Sequence, residues 1–237
     1  MSNLISIVLP VHNEFLNLKN LIEDWDAELK KISKIKHEFI IVEDGSSDGT
    51  KELIIELQEN FSIINLSSEK KRGYGRAVLE GIKASNGNFI LCTDSDNQIK
   101  VQSLIENIDN LPLNNIFLFG KRSPRKDPIH RLIYSKMFKI LHDILFNSKL
   151  SDPSCPFVIG KKETYLKLPD SLLLKMHEGF WWGFVGVSKK MKIEFIEVAI
   201  SHFKRDHGNA GYKLIHMPGI IYRNALGLIK IKLSKIS

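Results

Sequence analysis

Two carboxylates stand one residue apart in TDSDNQ, at Asp94 and Asp96, and the neutral side-chain oxygen of Gln98 continues the series. The i, i+2 spacing puts both acids on one side of an extended segment. Hard oxygen donors in that arrangement suit Mg²⁺ or Mn²⁺, and a divalent cation held there stabilises negative charge growing on a departing group. The acids directly follow FILCT, an apolar run of strand length. That order predicts a buried strand delivering them to the carboxyl edge of an α/β sheet, where such folds keep their ligands.

Positioning the acids requires a sheet, and the chain up to Phe117 has the elements for one. ISIVLPV, HEFIIVEDG, FSIINLS and FILCT read as strands. Between them, EFLNLKNLIEDWDAEL carries Leu18, Leu21, Ile22, Trp25 and Leu29 at helical spacing. SSDGTKELIIELQEN opens with capping residues, Asp48 among them, and GRAVLEGIKAS is a further helix. Strands separated by helices of this length predict a mostly parallel βαβ sheet. Beyond Phe117 the pattern loosens. KRSPRKDP is a proline-punctuated basic loop, and HRLIYSKMFKILHDILFN is an amphipathic helix with Ile133, Met137, Ile140, Leu141 and Ile144 on one face. From Gly219 on, Ile221, Ala225, Leu228 and Ile229 alternate with Arg223, Lys230, Lys232 and Lys235, a pattern that fits either a helix packed on its own domain or one lying in a membrane interface.

Charge divides the chain. Its 237 residues carry a net +7, but the part through Phe117 has 12 Lys and Arg against 18 Asp and Glu, while the rest has 22 against 9. An acidic half suits metal chemistry; a basic half suits phosphate, nucleic acid or an anionic membrane. No helix-turn-helix, RNA-recognition or zinc motif accompanies the basic half, which argues against nucleic acid. Cys92 and Cys155 lack CxxC spacing, so neither a thiolate metal site nor a disulfide framework is expected, and a reducing compartment is the simpler setting. No signal-like leader and no apolar run of about 18 residues is present, so neither secretion nor a membrane-spanning helix is expected.

The blocks ISIVLPVHNE, IIVEDGSSDGT, GYGRAVLEGIKASNGNFI and TDSDNQ, in this order, resemble those of the family 2 glycosyltransferases of GT-A fold, and the resemblance runs over residues 4 to 210. It implies an α/β, Rossmann-like nucleotide-diphospho-sugar transferase fold, with a mostly parallel central sheet flanked by helices and with C-terminal amphipathic helices. Residues 1–212 would form the transferase domain, with 1–117 taking nucleotide-sugar and metal and 118–212 the acceptor, followed by a basic segment over 213–237. The resemblance implies a UDP- or GDP-linked sugar as donor and Mg²⁺ or Mn²⁺ at Asp94, Asp96 and Gln98. Pro10, His12 and Glu14 would border the crevice for base and ribose, His12 standing where many relatives have tyrosine. Asp44 would accept a hydrogen bond from the base, Asp94 would also face the nucleotide, and Arg72 or Arg76, beside Gly73 and Gly75, would reach the base or pyrophosphate.

The series DxDxQ resembles the polyprenyl-phosphate sugar transferases in particular. FLFGKRSPRKDP and HRLIYSKMF then imply Arg122, Arg131 and Ser135 as contacts of an acceptor phosphate. SDPSCPFVIGKK nominates Asp152, HEGFWWGF nominates Glu178, and the last block ends on Arg205 and Gly208. Departures from the family pattern fall in the acceptor half: Pro156 for a glycine, Ala210 for a serine, and Trp181, Trp182, Gly183 and Phe184 in a stretch that is usually partly acidic. The aromatic run reads as core or as the wall of an acceptor pocket.

A hydroxyl acceptor needs a base, whereas a phosphate monoester is already an anion and needs positive charge to position it. The basic second half favours the phosphate, held by Arg122, Arg131 and Arg205 and attacking the anomeric carbon directly, with inversion. In the hydroxyl alternative, a glycan acceptor, Asp152 or Glu178 is the base. A nucleotide-sugar-binding module without catalysis is a third reading. The favoured one places the protein at the cytoplasmic face of a membrane, touching it peripherally through two basic amphipathic helices, with an integral-membrane partner for any deeper anchorage.

Overall fold

Strand-forming and helix-forming segments alternate in the structure as the apolar spacing requires. The structure is a computed structural model and describes residues 3–125, 129–176, 178–205, 207 and 217–235. The first part runs β1 (Asn3–Val11), α1 (Phe15–Lys30), β2 (Ile35–Asp44), α2 (Thr50–Gln58), β3 (Ile63–Ser68), α3 (Tyr74–Ala84) and β4 (Phe89–Thr93). β1 pairs in parallel with both β2 and β4, and β2 with β3. Val8 lies opposite Cys92 and Val11 opposite Glu43, so the segments that follow β1, β2 and β4 leave the sheet at one edge. These strands are buried on both faces, which is why they read as continuous apolar runs. α1 covers them with Leu18, Leu21, Ile22, Trp25 and Leu29, all buried.

The second part comprises α4 (Gln102–Ile105), β5 (Ile116–Arg122), α5 (Ile129–Phe146), β6 (Phe157–Lys161), α6 (Lys162–Leu166), α7 (Asp170–Leu173), α8 (Phe180–Lys190), β7 (Glu194–Ile200) and α9 (Met217–Leu233). The seven strands are ordered β3-β2-β1-β4-β6-β5-β7. The sheet is mostly parallel, as expected, but β6 is inserted antiparallel between β4 and β5, with Phe157 opposite Thr93. Because β6 runs backwards, the segment that precedes it reaches the same edge as the acids that follow β4.

α5 has two apolar stripes, and the structure buries the one that was not singled out from sequence. Phe138, His142 and Phe146 face inward, Phe138 edge-on to Trp182 at 4.9 Å and His142 Nε2 3.0 Å from the Trp182 carbonyl. Ile133, Met137, Ile140 and Ile144 lie outward, between 55% and 77% exposed, and of the expected stripe only Leu141 packs on the core. The aromatic stripe fills the space against α8 with larger rings, leaving the aliphatic one outside. α9 divides likewise: Ile220, Leu228 and Ile231 are buried, while Tyr222, Leu226, Ile229 and Leu233 are exposed. One face of the final segment therefore packs on the domain, as the first of its two readings expects, and the other is apolar and open.

At Gly160 in β6, an added Cβ would sit 2.4 Å from two ring carbons of Phe117. Phe117 is wedged between Tyr165 and Phe184, at 4.7 and 5.0 Å between centroids, so the ring has nowhere to go. Gly160→Ala is expected to cost about 1–3 kcal/mol in urea unfolding, with the far-ultraviolet circular dichroism of the folded state unchanged.

Candidate active site

A cleft of about 510 Å³ opens at the sheet edge where β1, β2 and β4 end. Pro10 and His12 line it from β1 and its turn, Asp44 from β2, Asp94 from the segment after β4, Arg122 from β5 and Glu178 from the approach to α8. Six residues chosen from sequence thus share one cavity. Lys71, Tyr74, Ser154 and Trp181 line it as well.

Negative charge is concentrated here against its own interest. Burial pushes the Asp94 carboxyl up to about 7, the Asp96 charge adds to the rise, and the Tyr74 hydrogen bond and Arg122 oppose it. Burial also raises Asp96, against the Gln98 amide and Arg205. Glu14 is raised by burial too, opposed by Asn17 and Arg205 and reinforced by Asp96. Such a group of acids has charge to offer a cation. Among the described residues, no three or more His, Cys, Asp or Glu side chains are placed to hold a metal ion. Two carboxylates completed by the oxygens of a bound diphosphate and water are nevertheless a normal Mg²⁺ environment. Asn97, between Asp96 and Gln98, adds a buried Oδ1 with no hydrogen-bond partner. This donor set fits a divalent cation.

Gln98 lies at the end of the same loop. Its Nε2 donates to the Phe203 carbonyl at 2.9 Å, and the Phe203 N–H donates back to the Gln98 carbonyl at 2.9 Å. This reciprocal pair brings Arg205 over the acids. Arg205 pairs with Glu14 and lies 3.8 Å from Asp96 Oδ2, while its Nε donates to the His207 carbonyl at 2.7 Å. Gly208 and Ala210 lie outside the described residues.

Around the expected nucleotide site, His12 has a buried Nδ1 without a partner, an atom available to a ligand in the cleft. Asp44 accepts the N–H groups of Arg72 and Gly73, at 2.6 and 2.9 Å, and so shapes the turn into α3. The Arg72 guanidinium binds Glu80 and the carbonyl of Glu43, and the cation of this turn that lines the cleft is Lys71. Asp48 holds the amide of Phe15 at the start of α1 and that of Thr50, whereas the N-cap of α2 is Gly49.

The part of the chain after Phe117 brings two arginines to one carboxylate. Arg122 donates to both Asp152 oxygens, at 2.7 and 2.9 Å, and to Ser154 Oγ at 2.8 Å. Arg125, which sequence reasoning left unnamed in KRSPRKDP, donates to Ser135 Oγ at 2.9 Å and approaches Asp152 at 3.4 Å. Burial works against the Asp152 charge, yet Arg122 and Arg125 hold its carboxyl below the ordinary value. A carboxylate in that grip is a weak base. Glu178 accepts from Arg223 of α9 at 2.5 Å. Arg131 lies on α5, with its side chain outside the description. Ser135 lines a second cavity of about 230 Å³, walled by Tyr134, Phe138, Trp182, Ile220 and Ile221, which shares Ser154, Glu178 and Gly179 with the cleft. The aromatic run is core, as one of its two readings expects: Trp181 and Trp182 are buried, and each also lines a cavity.

Comparison with known proteins agrees with this geometry. Residues 6–168 match the model described as Glycosyl transferase family 2. The chain is similar to a dolichyl-phosphate beta-glucosyltransferase of Dictyostelium discoideum, 28% identical over 96% of this chain and 77% of that one. It is also similar to an undecaprenyl-phosphate 4-deoxy-4-formamido-L-arabinose transferase of Photorhabdus laumondii, 24% identical over 92% of this chain, and spans 66% of that relative's length. Among solved structures, glucosyl-3-phosphoglycerate synthase from Mycobacterium tuberculosis, in complex with Mn²⁺, UDP-glucose and glycerol 3-phosphate, superposes with a TM-score of 0.68 at 16% identity, covering 99% of this chain and 82% of that one. Mannosyl-3-phosphoglycerate synthase from Rubrobacter xylanophilus gives a TM-score of 0.64 at 12% identity, over 96% of this chain and 73% of that one.

The raised Asp94 carboxyl makes stability depend on pH. Folded Asp94 keeps its proton up to about 7, while an ordinary aspartate loses it near 3.8. The folded state therefore binds more protons across that window, and the metal-free protein loses stability as pH rises through it. Asp94→Asn is expected to stabilise the metal-free chain at pH 8 by on the order of 1 kcal/mol or more, with the difference shrinking toward pH 4. Thermal unfolding at the two pH values measures it, and added Mn²⁺ should raise the midpoint of the wild type but not of the variant.

Proposed function

Because the chain belongs to glycosyl transferase family 2, we propose that it moves a sugar from a nucleoside diphosphate, with inversion, to the phosphate of a membrane polyprenyl lipid. The enzyme is a glycosyltransferase; the acceptor is the inference. One observation carries it. Arg122 and Arg125 share Asp152, and Arg122 also donates to Ser154, where the nucleotide-sized cleft meets an apolar-walled cavity. A lipid phosphate needs that combination, a cationic seat for its head beside an apolar space for its tail. Dolichyl and undecaprenyl phosphate, which the names of two relatives carry, support this acceptor class.

In this reading His12 and Asp44 border the nucleotide base, and Asp94 and Asp96 hold Mg²⁺ or Mn²⁺. The neighbour crystallised with Mn²⁺ and UDP-glucose supports a UDP-linked donor. When bound, the cation neutralises charge growing on the leaving diphosphate. Arg122 and Arg125, oriented by Asp152 and Ser135, seat the acceptor phosphate. Arg205, bridging Glu14 and Asp96, closes the donor side. A phosphate oxygen forms the new bond to the anomeric carbon as the bond to the diphosphate breaks on the opposite face. No proton has to move, which suits a site whose acceptor-side carboxylates, Asp152 and Glu178, are both paired with arginine. The exposed aliphatic stripe of α5 and the open face of α9, with Lys230 and Lys232 nearby, would rest in a lipid headgroup layer. Among the described residues no helix is long and apolar enough to cross a membrane. Free, buried Cys92 and Cys155 fit a reducing compartment and hence the cytoplasmic face, where an integral-membrane partner could add anchorage.

The acceptor is tested with UDP-linked sugars, Mn²⁺ and farnesyl phosphate. Asp96→Ala or chelation should abolish transfer. Arg125→Ala should raise the acceptor KM about tenfold or more, and Ile221→Trp, which fills the apolar cavity, should raise it without changing slow donor hydrolysis. Transfer to free glycans with none to prenyl phosphates would overturn the acceptor. Membrane contact is tested separately: Ile140→Glu with Ile144→Glu should reduce sedimentation with anionic liposomes and leave nucleotide binding intact.

A further inference from the structure

The hydroxyl of Tyr74 joins the two halves of the chain. It donates to Asp94 Oδ1 at 2.6 Å and accepts from Trp181 Nε1 at 2.9 Å. An indole N–H can only donate, and a phenol has one proton. With Trp181 occupying the phenol oxygen from one side, that proton is directed to the carboxylate. Trp181 is the buried partner and Tyr74 the more exposed one. Trp181 is 4% exposed and packs edge-on against Phe119 and Phe180, at 6.4 and 5.1 Å. Tyr74 is the first residue of α3, follows Gly73 at φ 100°, and lies edge-on to Phe180 at 6.2 Å. Asp96 is treated in the same way, its Oδ1 accepting the Gln98 N–H at 3.2 Å. Each acid therefore has its Oδ1 hydrogen-bonded by the protein; Asp96 Oδ2 faces Arg205 at 3.8 Å, whereas among the described residues Asp94 Oδ2 receives no hydrogen bond.

We propose that Tyr74 is a positioning residue that fixes which oxygen of Asp94 meets the divalent cation, and that Trp181, from the acceptor half, holds Tyr74 in that role. This rests on the metal-dependent transfer described above. It has a functional consequence. Trp181 lines the cleft, so a ligand that turns the indole releases the phenol, and cation affinity becomes linked to the state of the acceptor half, reciprocally. Tyr74 touches no reacting atom in this scheme; it acts through Asp94.

The test is Mn²⁺ affinity of the full chain, read by electron paramagnetic resonance titration without donor or acceptor. Tyr74→Phe removes only the hydroxyl and is expected to weaken Mn²⁺ binding about tenfold, the usual scale for a group that orients a metal ligand. It also leaves the Trp181 N–H without its acceptor, so the unfolding midpoint of the metal-free protein should fall, and affinity is read well below that midpoint. Trp181→Phe should weaken it less. Because Trp181 acts through Tyr74, the double variant should bind no more weakly than Tyr74→Phe alone. Wild-type affinity in Tyr74→Phe overturns the proposal, and losses that multiply in the double variant overturn the part assigned to Trp181. Where Mn²⁺ binds only with UDP added, the same comparison is made with UDP; a wild-type chain that binds no Mn²⁺ under either condition overturns the metal reading, whereas wild-type affinity in Tyr74→Phe overturns this proposal alone. Tyr74→Phe decides the first part by itself should Trp181→Phe fail to fold.

Discussion

Like charges confined at the carboxyl edge of the sheet are the constraint to which the surrounding structure answers. Asp94, Asp96 and Glu14 are each raised by burial, and Asp96 raises both of the others. Left alone, such a group would protonate or open to water. The protein tolerates it with partial compensation: Arg205 between Glu14 and Asp96, the Tyr74 hydroxyl on Asp94, and the Gln98 amide on Asp96. The compensation stops short of neutralising the site. A fully paired cluster would be more stable and would have nothing left for a cation, whereas in the proposed reading the residual repulsion would favour a bound divalent ion.

Topology supplies the compensating groups from distant parts of the chain. The antiparallel insertion of β6 carries Asp152 and Ser154 to the edge where β4 releases its acids, and β5 ends there with Arg122. The segment after β7 returns across the acid loop through the paired amides of Gln98 and Phe203 and places Arg205. Arg122 and Arg205 thus come from the later part of the chain and Glu14, Asp94 and Asp96 from the earlier part, while Lys71 and Glu178 line the cleft across that division.

Much of this was legible in the residues because the physical signal was local. The five apolar positions of α1 recur at helical spacing, and all five are buried. β1, β2 and β4 are covered on both faces and so read as unbroken apolar runs. The acids after β4 and the residues after β1 share a cleft edge because parallel strands all end on one side. What escaped was non-local. The place of β6 depends on pairing with β4 and β5, which no short apolar run such as FVIG specifies. In α5 both an aliphatic and an aromatic stripe satisfy helical periodicity, and only packing against α8 decides between them. Arg72 and Lys71 are neighbours with the same charge, and the geometry of the turn sends the first to Glu80 and the second to the cleft. Tyr74 sits among glycines whose role is legible from backbone freedom, whereas its own partners come from two remote elements.

The two cavities bear on why the acceptor side is built as it is. A reaction between a water-soluble nucleotide and a lipid phosphate must bring a hydrated group and an apolar chain to one point without wetting the second or stranding the first. Arg122, Arg125 and Ser154 form the boundary, with rings and aliphatic side chains beyond it. Arginine suits that boundary better than lysine, because its planar fork binds a carboxylate and a phosphate edge-on and is more weakly hydrated than an ammonium group. Asp152 keeps two such forks aligned in a place where, without a carboxylate between them, their mutual repulsion would drive them apart. In the proposed reaction the same carboxylate would yield part of its hold when a phosphate arrives, and the ion pair that looks like a structural bridge would serve as a preformed, exchangeable seat for an anion.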